Sequence, residues 1–254
     1  MKIDLTEQFE HLAKAPIVEA AIEIRARAEG PWDEAAISQQ IKSRLSDYPK
    51  VTSLKQIQQE IKLQFGKPAE GLTRDLGWRG LQFQSEDGRR AVQFNRDAFV
   101  FNQLPPYEGW EALLSEAMRL WQIHAGLARP SEAQRLGLRF INRIVMPAND
   151  PNFENYIRPH AVPPSNLDLP FVGFFHQDSL AVPGYPYLIN IIRMIEPAHD
   201  QLSGAAIILD IDVFTAQPFE LRDDKPQVYL AEMRNLKNKI FFGSITEKSL
   251  QGFR

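Results

Sequence analysis

Residues 134–145 read QRLGLRFINRIV, and their alternation decides the fold. Leu136, Leu138, Phe140 and Ile144 fall on one side of a period-two pattern, and Arg135, Arg139 and Arg143 on the other. That is a half-buried strand with one apolar face and one cationic face. Residues 17–28, IVEAAIEIRARA, have the same form, with Val18, Ala20, Ile22, Ile24 and Ala26 opposite Glu19, Glu23, Arg25 and Arg27.

The segments C-terminal to these two strands are also alike. After the first, Gly30 and Pro31 stop the strand, and Asp33 is placed to cap a short helix carrying Ile37, Ile41 and Leu45. Alternating segments then predict strands near 54–65, 76–85, 89–95 and 98–104, the last three joined by the turns at 86–88 and 96–97. A helix is expected over 107–125, with Trp110, Leu113, Leu114, Ala117, Leu120 and Trp121 as its apolar stripe and Gly126 and Pro130 ending it.

After the second strand come a short segment at 153–157, a proline-rich loop at 159–170 and predicted strands near 171–181, 185–196 and 205–215. A long helix over 226–242 is expected to stop at Gly243, with a capping box at 244–247 opening a last short helix. The fold class is therefore α+β. It is expected as two pseudo-repeated β-α-β3-4-α halves, 1–130 and 131–254, forming one curved antiparallel sheet with helices on one face. The element order is similar to that of the TATA-binding-protein-like folds.

The segments API-EAAIEIR, RLGLRFINRI, LDIDVF and NLKNKIFFGSITEKSLQGF, in that order, resemble the landmarks of an uncharacterised family of sporadically distributed bacterial proteins of about 250 residues. The resemblance covers the whole chain and implies a complete protein; it implies no activity.

Composition narrows the function classes. At 254 residues, 44% hydrophobic and 24% charged, the chain supports a sizeable core. A net charge of −3 provides no general field for nucleic acid, so such binding needs a local patch. There is no cysteine, hence no disulfide, thiolate nucleophile or sulfur-based metal site. The absence of an apolar leader or a long apolar run makes a cytoplasmic protein without membrane contact the expectation.

Chemistry-bearing residues are sparse, and no cofactor motif is present. Arg135, Arg139 and Arg143 repeat at about 13 Å along one strand face, a spacing able to hold phosphates or to pair with Glu19, Glu23, Asp210 and Asp212. The pairing is the favoured reading. Asp210 and Asp212 form a D-x-D that suits a divalent metal only with further ligands, so a metal-dependent enzyme is the least favoured function. The five histidines are scattered and mostly expected at the surface, His176 alone being embedded in a strand. Trp78 begins a face bearing outward Gln82, Gln84, Gln93 and Asn95, another binding candidate. Phe241 and Phe242 at a helix end are interface candidates, for a protein partner or a second copy. A non-enzymatic interaction module with a protein partner is the leading expectation, with nucleic-acid binding through the arginine-bearing face as the alternative.

Overall fold

The computed structural model describes residues 2–62, 70–158, 173–197, 205–222 and 224–254. The predicted loop at 159–170, His160, His199 and the end of the strand expected at 54–65 lie outside these residues. In chain order the elements are β1 (Ile17–Arg25), α1 (Glu34–Lys42), β2 (Lys50–Lys62), β3 (Glu70–Gln84), β4 (Arg90–Asn95), β5 (Phe99–Gln103), α2 (Trp110–Ala128), β6 (Glu132–Ala133), β7 (Arg135–Val145), β8 (Phe175–Ala181), β9 (Tyr187–Glu196), β10 (Ala206–Thr215), β11 (Phe219–Glu220), α3 (Lys225–Ser244) and α4 (Glu247–Phe253). A 3₁₀ turn spans Phe153–Asn155.

Nine strands form one antiparallel sheet in the order β2-β3-β4-β5-β1-β7-β10-β9-β8, while β6 and β11 pair separately. The seam is the β1–β7 pair, with Ile22 opposite Leu138 and Ile24 opposite Leu136. From it a single apolar row crosses the sheet: Val51, Phe83, Val92, Phe101, Ile22, Leu138, Val213, Ile189 and Leu180 are successive cross-strand neighbours. Since side chains alternate along each strand, one such row sets which side of each strand faces the core, although Val51 and Leu180 at its two ends stay exposed. Ile37 and Ile41 of α1, Leu113 and Leu120 of α2, and Leu230, Met233 and Leu236 of α3 are buried in the same cluster as that face. No helix of the described residues is long and apolar enough to cross a membrane.

Helix boundaries differ from the sequence expectation at several places: α1 stops at Lys42, short of Leu45, and α2 starts at Trp110 rather than at 107. Asp33 caps α1 as read, accepting a hydrogen bond from the Ala36 amide at 3.1 Å. The helix α2, however, runs through Gly126 and ends only where Arg129 takes a left-handed conformation (φ 50°), and α3 likewise continues through Gly243 to Ser244. In both, packing of the apolar stripe outweighs the modest cost of an internal glycine. The cap of α4 is Thr246, whose Oγ accepts from the Ser249 amide at 3.3 Å, and not Ser244.

His124 overturns the expectation of a surface histidine. It is fully buried on α2 inside an aromatic box, its ring centroid 5.4 Å from Trp32, 5.4 Å from Trp121, 5.8 Å from Phe99 and 6.0 Å from Phe94. Among the described residues neither ring nitrogen has a hydrogen-bond partner. Burial in this apolar box pushes its pKa down to about 3.

The folded protein therefore keeps His124 neutral at pH values where the unfolded chain, titrating near 6.5, takes up a proton. Stability is complete above about pH 6.5 and falls by about 1.4 kcal/mol per pH unit as the pH drops toward 3. Urea denaturation between pH 6.5 and 4.5, above most carboxylate titrations, should show this slope, and His124→Leu should lose it. An unchanged slope in the variant would remove His124 as its source.

Candidate functional site

The face away from the helices carries the arginines and the D-x-D pair singled out by sequence. On its central strands lie Arg25, Arg135, Arg139 and Arg143 together with Glu19, Glu23, Asp210, Asp212 and Glu196, four guanidinium groups against five carboxylates. Their pairing is specific. Arg139 holds Asp210 by two hydrogen bonds, Nε to Oδ1 at 2.9 Å and Nη2 to Oδ2 at 2.6 Å. Arg143 Nε lies 2.6 Å from Glu196 Oε2. Arg135 bridges Glu23 and Asp212, with 2.7 Å to Asp212 Oδ2, and stacks over the Phe214 ring at 4.5 Å.

Backbone register alone does not set these partners. Arg139 and Asp212 are directly opposite on β7 and β10, as their alternation suggests, yet the ion pair runs diagonally to Asp210. Asp212 is taken by Arg135, which can lean along the strand because Gly137 has no side chain: a Cβ there would collide with the Arg135 guanidinium. The hydrogen bond to Asp210 makes Arg139 hold its proton more tightly than an ordinary arginine. Desolvation raises the Asp212 pKa, opposed by Arg135 and Arg139.

Elsewhere this face is partly satisfied internally, the buried Asn95 Oδ1 having no donor among the described residues. Asn102 donates to Glu19 at 2.5 Å, and amides form a chain from Asn95 to Gln93 to Gln82, each step 3.3 Å. Asn95 is itself buried rather than outward. Trp78 turns to the core side and stacks on Trp32 at 6.4 Å between centroids. His176 sits on the edge strand β8, exposed, 3.1 Å from Asp178, which also pairs with Arg193. Phe241 is buried, and Phe242 stacks on Phe9 at 5.7 Å. Among the described residues no cluster of three or more His, Asp or Glu is arranged to hold a metal ion.

Two features lie beyond the sequence reading. One is a projecting ribbon. The strand β3 pairs with β4 only over residues 80–84, while its earlier residues pair with β2 alone. Register shifts at Leu54/Lys55 and Lys55/Ile57 mark bulges where the ribbon leaves the sheet, and Gly77 takes φ 93° there, its amide bound by Asp75 Oδ1 at 2.8 Å. Beyond that point Ile57 and Leu76 are 59% and 50% exposed. The other feature is a cleft of about 830 Å³ on the helix side, between the N-terminal segment, the start of α2 and α3.

Comparison with models of known protein families and with curated proteins finds no match to this chain.

The Arg139–Asp210 pair is the most testable of the face. Asp210 is 9% exposed and Arg139 50%, so Arg139→Ala strands a nearly buried carboxylate and should cost about 1–3 kcal/mol. Asp210→Ala combined with Arg139→Ala should cost less than the two single changes added, by about 1 kcal/mol, in a double-mutant cycle of denaturant midpoints. Strict additivity would show that the pair contributes nothing.

Proposed function

We propose that the chain is a non-enzymatic interaction module that docks a protein partner through the β2–β3 ribbon. The observation carrying this reading is the ribbon itself. Beyond the bulges, residues 57–62 of β2 stay paired with β3, a reach of roughly 20 Å. A two-stranded hairpin with both faces in water is marginally stable, and Ile57 and Leu76 present apolar surface there at no evident benefit to the isolated chain. A partner that covers them or adds a strand to the open edge supplies the missing burial.

The alternative, nucleic-acid binding by the sheet face, draws less support. Its arginines are engaged by carboxylates and the face carries more acids than arginines, so phosphates would have to displace ion pairs already made.

We also read residues 1–130 and 131–254 as a repeat. From the seam outward, β1-β5-β4-β3 on one side mirrors β7-β10-β9-β8 on the other, which is the support for the TATA-binding-protein-like analogy. On this reading β2 is an addition at the first half's edge.

The test is to replace residues 56–77 by Asn-Gly, which joins the paired Lys55 and Trp78 with a two-residue turn. The trimmed chain should melt within a few degrees of the parent, since most of the removed described side chains are exposed. Affinity purification from native extract, with protein and nucleic acid both analysed, should recover a protein with the parent and lose it with the trimmed chain. Recovery of the same proteins by both, or of nucleic acid whose retention depends on Arg139 and Arg143, would overturn the proposal.

A further inference from the structure

The cleft on the helix side is built around a cation without an anion. Arg234 and Lys237 lie three residues apart on α3 and so share the face that lines it. Arg234 is engaged, resting on the Trp110 ring at 5.3 Å with Glu111 3.7 Å away. Lys237 is not: among the described residues it has no ion-pair or hydrogen-bond partner, and its Nζ stands 4.2 Å from the centroid of Phe140 in the floor of the cleft. Tyr107 meets the other side of that floor, edge-on to Phe140 at 5.6 Å.

Four carboxylates line the cleft and none of them pairs with Lys237: Glu111 lies beside Arg234, and Glu108 has no ion pair among the described residues. Glu7 pairs with Lys239 at 2.7 Å and Glu10 with Arg254 at 2.6 Å. Burial, reinforced by the positive charge of Arg234, pushes the Lys237 pKa down to about 7, and no carboxylate counters it. A second polar group is also left short: Asn235, 5% exposed and lining the same cleft, has an Oδ1 with no donor among the described residues. Buried charges are ordinarily paired, because desolvating an ammonium without a counter-ion is costly. A cavity of this volume, with aromatic walls and a few convergent polar groups, has the form of a small-molecule site.

We propose that this cleft binds a small organic acid, its aromatic or apolar body against Tyr107, Trp110 and Phe140 and its carboxylate on Lys237. The aromatic rings provide the burial, the ammonium supplies the missing ion pair, and Arg234 adds to the positive potential at the same end. This site lies on the opposite side of the sheet from the arginine face and is independent of the ribbon.

The experiment uses the full chain and 2-naphthoate, with the uncharged 2-naphthamide as its match. Ligand-observed NMR and thermal shift should show saturable binding of the carboxylate, with the amide weaker by roughly tenfold or more, the loss of one charge-assisted contact. Lys237→Met keeps the length and apolar stem, should fold at least as stably as the parent, and should bring the two ligands to equal affinity. Arg139→Ala, on the far face, should leave the preference intact. Equal binding of acid and amide to the parent, no binding of either, or a preference that survives Lys237→Met would overturn the proposal.

Discussion

The pairing of β1 with β7 is the constraint on which the rest of the structure depends. It joins the chain's two halves by a register in which Ile22 meets Leu138 and Ala20 meets Phe140. A slip of one residue would turn Ile22 and Ile24 to the charged side and bring Glu19 and Glu23 under the helices, at a desolvation cost no local rearrangement recovers. With that register fixed, every strand added outward inherits its inward residues. The fully buried Phe83, Phe94, Phe99, Phe101 and Phe140 then form a continuous floor for α1, α2 and α3.

The same register determines what the open face can do. It sets three arginines of β7 between the acids of β1 and those of β10 and β9, within reach of ion pairs. Such pairs are worth little each when exposed. Here their larger effect is to leave few uncommitted charges on a face otherwise wide enough to bind a polyanion. Among the described residues the groups left without partners lie instead at the ribbon, where Ile57 and Leu76 are exposed, and on the helix side at Lys237.

Legibility in the sequence tracks periodicity. Alternation in residues 17–28 and 134–145 identifies the two central strands and their inward faces, and the turns at 86–88 and 96–97 identify the meander, because period-two patterning is the direct imprint of a one-sided sheet. Asp33 is readable as a cap for the same local reason. The early part of β3 is not, since the alternation supports a strand only from about 76 and nothing local says that the strand extends past its neighbours. The Arg139–Asp210 pair is hidden because it depends on diagonal reach and on Gly137 making room for Arg135, neither of which shows in the spacing. His124 and Lys237 escape a sequence reading because a polar residue on a helix is ordinarily a solvated one; only the tertiary packing of Trp32, Phe94, Phe99 and Trp121 buries His124, and only the approach to Phe140 leaves Lys237 half-buried.

Arg139 and Phe140 are adjacent on β7 and so point to opposite faces, which places two cations on either side of one strand in contrasting circumstances. Arg139 projects into a face whose neighbouring strands carry carboxylates at alternate positions, so a partner is available wherever its fork reaches. Lys237 approaches the other face from a helix, over a ring, where the strand residues are apolar by the requirement of the core. Its own helix offers Arg234, Asn235 and Asn238 around it and no acid on that turn. Among the described residues Lys237 therefore has no ion pair comparable to the one that Arg139 makes with Asp210. A lysine is stable in such a place either by giving up its proton, which its lowered pKa permits, or by receiving an anion from outside, and the adjoining cavity is the route by which an anion arrives.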